Sequence, residues 1–273
     1  MPELPEVDTV VSDLNEIITG KRIRGLFSIG RKNIKFYDDV SSNLTIKQKI
    51  KSVERRGKYI LIHLNNNSTI VVHLRMTGQL LYLLQNIGTS QLKHIRAVLN
   101  FSDDSKLVFN DTRNFGEISF FQDKKSLTSY LSKLGREPLE IKNDEFVSLF
   151  KNKKGNIKAN LLRQDLICGI GNIYADESLF LSQIHPQTKC TNLSEGELLS
   201  LIRSIKKVLK NAIDLRGTSM RDYLDVNGNS GKYSTTLNVY GRTKIPCKTC
   251  GNEIQKIKVA GRGTHFCPNC QQK

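Results

Sequence analysis

No run of eighteen apolar residues occurs anywhere in the 273-residue chain, which excludes a membrane-spanning helix. No internal repeat stands out. The first residues are acidic and amphipathic instead of basic and then apolar, so a secretory signal is not expected. Acids are scarce: 26 Asp and Glu face 42 Lys and Arg, a formal charge of +16. Such a deficit favours a polyanionic partner, most often nucleic acid, over an anionic membrane surface or mere solubility. Cysteine is sparse too, and four of the six stand in two C-x-x-C pairs. That argues for metal in a reducing compartment, not for disulfides. What remains is 38% hydrophobic, enough at this length for two domains with buried cores.

The first six residues, Met1-Pro2-Glu3-Leu4-Pro5-Glu6, carry the sharpest chemical hint. Removal of Met1 would leave Pro2 with a free secondary amine, and an α-amino group titrates at roughly 7.7–8.0. Leu4, Val7, Val10, Val11, Leu14, Ile17 and Ile18 fall at helical spacing, with Gly20 at the stop. Pro2 would then sit at the helix N-terminus, whose positive dipole end lowers the amine's pKa further. A secondary amine attacking a sugar C1′ gives an iminium directly, and Glu3 beside it can give or take a proton. The plainer reading is that Pro and Glu are good helix starters.

Strands are expected over 22–29, 46–53, 58–64, 69–74, 97–101, 106–109 and 117–121, with polar turns at 65–68 and 102–105. Near Leu134-Gly135-Arg136-Glu137-Pro138 the pattern becomes helical, with helices expected over 145–151, 157–166, 172–182 and 194–215. The fold class is therefore α+β. An N-terminal β-sandwich with flanking helices (1–134) passes through a linker (135–143) to a helical domain (144–233) and a cysteine-rich module (234–273).

Cys247-x-x-Cys250 and Cys267-x-x-Cys270 lie sixteen residues apart, a spacing that closes a tetrahedron around one structural Zn²⁺ with no open position. Between the pairs a β-hairpin is expected with Ala260-Gly261-Arg262-Gly263 at its tip, so that Arg262 projects. From Arg242 to Lys273 seven Lys or Arg meet one acid, Glu253, so this module suits phosphates. Gly169-Ile170-Gly171-Asn172 is either a plain helical turn or a phosphate site at a helix N-terminus. Lys151, Lys153, Lys154 and Lys158 form a basic cluster nearby. On the β domain, 55–59, 73–78 and 111–116 each begin or end a strand. Met76 and Phe115 fit either a core or, near Arg113 at loop tips, wedges that fill the gap left by an extruded base. Lys58 fits either a site or an exposed strand end.

Pro2-Glu3-Leu4-Pro5-Glu6-Val7, Arg56-Gly57-Lys58-Tyr59, Gly169-Ile170-Gly171-Asn172 and the stretch from Ala260 to Pro268 together resemble the formamidopyrimidine-DNA glycosylases, in order and over the whole chain. The resemblance implies a monomeric bacterial cytoplasmic repair enzyme that excises 8-oxoguanine and formamidopyrimidines from damaged double-stranded DNA and then nicks the strand, with no catalytic metal. It implies Pro2 as Schiff-base nucleophile and Glu3 as proton donor at the sugar. It further implies Lys58 as proton donor in β-elimination and Arg262 as its counterpart in δ-elimination. Met76, Arg113 and Phe115 match the void-filling triad. His73, His94, Lys153, Lys158 and Asn172 match positions that contact DNA, mainly phosphates. The helical domain resembles a helix-two-turns-helix, with a lesion-capping loop at about 219–233 made supple by Asn227-Gly228-Asn229-Ser230-Gly231. Asp8 replaces a more usual glutamate, and Ala159 a frequent proline, which leaves that helix start in question. Two rivals stand beside this reading. The endonuclease VIII branch, with a preference for oxidised pyrimidines, resembles Pro-Glu-Gly-Pro-Glu where this chain has Leu4. A non-catalytic zinc-containing nucleic-acid-binding protein would have no use for a processed N-terminal proline.

Overall fold

The computed structural model describes residues 1–29, 34–36, 43–44, 47–85, 92–219 and 223–272. The first residue of the strand expected over 46–53 and positions 220–222 of the expected capping loop lie outside the described residues. The chain divides into two compact units, Met1–Lys133 with Leu215–Lys232, and Leu134–Asp214 with Tyr233–Lys273.

In the first unit, helix α1 (Leu4–Ile18) buries Leu4, Val7, Val10, Leu14 and Ile18, the stripe its spacing predicts. It ends at Gly20, whose φ of +81° suits a residue without Cβ. Beyond it come β1 (Ile23–Ser28), β2 (Ile34–Phe36), β3 (Asn43–Leu44), β4 (Ile50–Arg56), β5 (Tyr59–Leu64) and β6 (Thr69–His73). They are followed by β7 (Gly78–Leu83), β8 (Ile95–Phe101), β9 (Lys106–Asp111), β10 (Glu117–Phe121) and helix α2 (Lys124–Leu131). The strands form two five-stranded sheets, ordered β3-β1-β8-β9-β7 and β2-β10-β6-β5-β4. Leu26, Leu80, Leu99 and Phe109 of one sheet pack with Ile60, Ile62, Ile70 and Val72 of the other in a single apolar cluster. That is the expected sandwich. The second sheet is covered on its outer face as well, where Tyr130 of α2 meets Tyr59 and Phe121. Strands β5 and β6 are consequently almost wholly buried, which holds the turns at their ends in place.

Contacts cross the expected boundaries of the helical domain at both ends. Within the expected linker 135–143, Gly135 N–H bonds to Gln164 O (2.8 Å), Arg136 pairs with Ile167, and Ile141 is buried within the second unit. At the other end, Leu215–Lys232 belongs to the first unit. Arg216 bridges Asp13 and Asp225 (2.7 Å each), and Val226 joins the sandwich core.

The second unit holds α3 (Asn143–Lys151), α4 (Ile157–Leu161), α5 (Asn172–Leu181) and α6 (Glu195–Asp214), then β11 (Gln255–Val259) and β12 (Arg262–Phe266). Helix α6 starts on a reciprocal cap in which Ser194 and Glu197 bond each other's backbone N–H. Helix α4 is shorter than expected. The Gln164 side-chain amide donates to Ile170 O and accepts from Gly169 N–H, so the chain turns where the periodicity continued. Its start is secure without proline, because the Asn156 side chain accepts the Ala159 N–H at 2.8 Å, a bond proline could not make.

Candidate active site and DNA-contact residues

Pro2 is buried one position before Glu3, the N-cap of α1. Glu6 in the first helical turn fixes this end. One of its oxygens accepts the Glu3 N–H (2.7 Å) and the other the Thr218 N–H (2.7 Å) from the returning segment. Gly217 lies so close that a Cβ there would meet the Glu6 carboxylate oxygen at 2.8 Å. Tyr223 donates to Glu6 O (3.3 Å), and burial together with that carboxylate pushes its phenol well above the ordinary range. Glu3 itself is 2% exposed. The sequence alone did not single out Glu6 or Thr218, since the bond between them spans 212 positions.

Strands β4 and β5 join through Gly57 and Lys58, with Gly57 at φ +57° allowing the tight turn. Lys58 is buried despite standing at a strand end. Its charge is felt by His73, which lies opposite Tyr59 in the β5–β6 pairing. Burial, then Arg75 and Lys58, hold the His73 imidazole down at about 3, so it is neutral. Its Nδ1 accepts the Arg75 N–H (2.9 Å), which leaves the proton on Nε2 as a donor. His94 is exposed before β8, with its carbonyl bonded to the Asp111 N–H.

Met76, Arg113 and Phe115 come together at the surface. The Arg113 Nη1 lies 3.2 Å from the Met76 sulfur, and its guanidinium stacks 4.8 Å over the Phe115 ring. Met76 is 39% and Phe115 53% exposed, so the structure chooses loop tips over core for both. Their two loops are tied by Asp111, fully buried, which accepts from Thr77 Oγ1, Arg113 N–H and Gly116 N–H. A side chain at position 116 would strike Phe109 at 2.3 Å, which accounts for Gly116. Asp111 was visible beforehand only as one acid in a loop.

In the second unit Arg262 is exposed at the first position of β12, beside a two-residue turn whose Ala260 and Gly261 both have positive φ (+48° and +73°). Asn172 begins α5 and its Nδ2 donates to Gly263 O (2.8 Å). Lys153 is partly exposed just beyond α3. Lys158 lies inside the protein. Its ammonium is wholly buried, 2.6 Å from Asp176 Oδ1 and 2.6 Å from Thr264 Oγ1, so its charge is balanced inside the protein.

The sulfurs of Cys247, Cys250, Cys267 and Cys270 all lie within 4.8 Å of one another, with Cys250 and Cys267 3.4 Å apart and Cys247 and Cys270 3.9 Å apart. Four thiolates bound to one zinc at about 2.3 Å stand roughly 3.8 Å apart, whereas a disulfide needs about 2.05 Å. The set fits one structural zinc.

Three family models match the chain: the formamidopyrimidine-DNA glycosylase N-terminal domain over residues 1–118, the H2TH domain of the same enzymes over 134–223, and the zinc finger found in FPG and IleRS over 244–273. The formamidopyrimidine-DNA glycosylase of Lactococcus lactis is 41% identical, with 100% of both chains covered, and that of Herpetosiphon aurantiacus 39%, with 99% of this chain and 100% of the other covered. A crystal structure of a Lactococcus lactis FPG mutant with Fapy-dG-containing DNA superposes over the full length of both chains with a TM-score of 0.91 at 36% identity. That of Lactococcus lactis Fpg with abasic-site DNA does so with a TM-score of 0.90 at 35% identity, over 99% of this chain and 100% of the other. Sandwich, helical unit and four-cysteine finger thus match along the entire sequence, and the chain belongs to the formamidopyrimidine-DNA glycosylase family.

Proposed function

We propose that the protein excises oxidised purines such as 8-oxoguanine and formamidopyrimidines from duplex DNA and cuts the strand by β,δ-elimination. One observation carries this reading. The second residue is a proline placed at the N-terminus of α1, and its neighbour Glu3 is a carboxylate withheld from solvent. With Met1 removed, the Pro2 amine attacks C1′, the glycosidic bond breaks and the base leaves with a proton. Glu3 protonates the opening sugar ring. The iminium acidifies the C2′ hydrogens, so a base removes one and the 3′ phosphate departs. A second proton loss, at C4′, expels the 5′ phosphate and leaves a one-nucleoside gap. Lys58 serves the first elimination and Arg262 the second. Met76, Arg113 and Phe115 fill the space of the everted nucleotide. His73, His94, Lys153 and Asn172 hold phosphates, His73 through a neutral Nε2–H. We take the active form to be a cytoplasmic monomer.

Wild-type Lactococcus lactis Fpg has been crystallised in complex with DNA containing an oxidized pyrimidine, which keeps that lesion class in the test. The experiment is borohydride trapping on a duplex with 8-oxoguanine opposite cytosine, with mass spectrometry of the N-terminal peptide. An adduct on Pro2 with Met1 absent is expected, and Pro2→Gly should bind DNA but lose nearly all trapping. Nicking by Pro2→Gly at the parent rate would sink the assignment. No adduct on this lesion, an oxidised pyrimidine or an abasic site would favour a binding protein.

A further inference from the structure

Three consecutive residues of β12 are gripped by the helices of their own unit. Asn172 Nδ2 donates to Gly263 O (2.8 Å), Lys158 Nζ to Thr264 Oγ1 (2.6 Å), and the His265 N–H to Asp176 Oδ2 (2.8 Å). Lys158 and Asp176 form an ion pair at 2.6 Å with both side chains 0% exposed. The Thr264 hydroxyl, having accepted from Lys158, donates to the Arg262 carbonyl at 3.1 Å. A continuous polar run therefore leads from Asp176 on α5, by the ion pair, to Lys158 on α4, and from there by hydrogen bonds through Thr264 to the backbone of the exposed Arg262.

A buried ion pair is a poor stabiliser, because desolvating two charges offsets most of their attraction. Two apolar side chains would hold the finger as firmly. What such a pair does well is fix one geometry, since any shift strands a buried charge, and bonds in series polarise one another. The zinc would hold a different part of the hairpin. Its ligands flank the hairpin at 247–250 and 267–270, whereas the polar run acts on 263–265 at the tip side.

We propose that Lys158 and Asp176, acting through Thr264, are positioning residues that set the register of Arg262 for the second elimination. This rests on the reading that Arg262 serves that step. The structure gives Lys158, first expected on a DNA phosphate, this inward role instead.

The test compares full-length, zinc-loaded Thr264→Val, Thr264→Ser, Lys158→Met/Asp176→Asn and Arg262→Ala on abasic-site DNA. It follows the ratio of δ- to β-elimination products, the borohydride-trapping rate and the zinc content. Thr264→Val keeps the volume and removes only the hydroxyl link, so it should fold even where the double variant does not. The expected result is a δ/β ratio lowered about tenfold in Thr264→Val, equivalent to ~1.4 kcal/mol at the transition state. Trapping should stay within about twofold and zinc remain at parent level, with the ratio restored in Thr264→Ser. A parent-like ratio in Thr264→Val, while Arg262→Ala loses the δ-product, would overturn the positioning role. A parent-like ratio in Arg262→Ala would instead overturn the assignment of Arg262 on which it rests. An equal fall in trapping and ratio would show that the network only holds the fold together.

Discussion

His73 illustrates how a single buried group makes a pH-dependent contribution to stability. In the unfolded chain its imidazole titrates near the ordinary value of about 6.5, and in the folded protein near 3 because of burial, Arg75 and Lys58. Between those values the unfolded chain holds a proton that the folded one refuses. The contribution is thus complete above about pH 6.5 and is lost as pH falls toward 3, by roughly 1.4 kcal/mol per pH unit once well inside that window. His73→Phe should flatten the fall in melting temperature between pH 6.5 and 4.5, and thermal unfolding across that range checks it. An unchanged slope would mean the imidazole is protonated in the fold. The same neutrality means that a phosphate contact through Nε2–H should not titrate between pH 6 and 8. Arg75 stands two positions along the sequence, but the burial and Lys58 depend on how the chain folds, so the sequence around His73 does not announce the shift. The four cysteines were legible because their spacing along the chain carries their chemistry, and Pro2 and Glu3 could be proposed because theirs rests on neighbours in sequence.

Among elements, the legible ones carried their own pattern. Helix α1 shows its apolar stripe, and the β5–β6 and β8–β9 hairpins show paired runs around polar turns. Strand β7 and helix α2 went unread. The run in β7 lacks alternation, and its place is set by pairing with β9. In α2 only Leu127 is buried, so the stripe is too thin to read. The return of 215–232 to the sandwich was unreadable for another reason: its contacts, Arg216–Asp13 and Thr218–Glu6 among them, join residues more than 200 positions apart. The finger is the opposite case, legible but unable to stand without its metal. Its apolar cluster comprises Phe180, Val239, Ile254 and the two buried zinc ligands Cys247 and Cys267. So small a core folds with the ion. Chelation should therefore unfold the hairpin and weaken DNA binding, reversibly on adding Zn²⁺, while the sandwich keeps its structure. Cys247→Ser should do the same irreversibly. Backbone amide NMR signals from both units in one titration check it, and finger signals that survive metal removal would refute it.

Across the whole molecule the +16 charge predicts strong, salt-sensitive binding to DNA, but total charge does not tell which cations meet phosphates. Burial does. Lys153 is partly exposed, while Lys158 is spent on Asp176 inside the protein. Each phosphate neutralised releases condensed counterions and steepens the fall of log K with log salt by about 0.9. Lys153→Ala should therefore reduce that slope by about 0.9 on any duplex, damaged or not, because a phosphate contact carries no sequence information. Lys158→Met/Asp176→Asn should leave the slope unchanged, since removing a buried, internally balanced pair releases no ions on binding. Fluorescence anisotropy with undamaged duplex from 50 to 200 mM salt separates the two. A slope change in the double variant would put Lys158 back among the phosphate contacts and remove the ground for its inward role. Equal slopes in Lys153→Ala and the parent would move the contact to another exposed cation of the basic cluster.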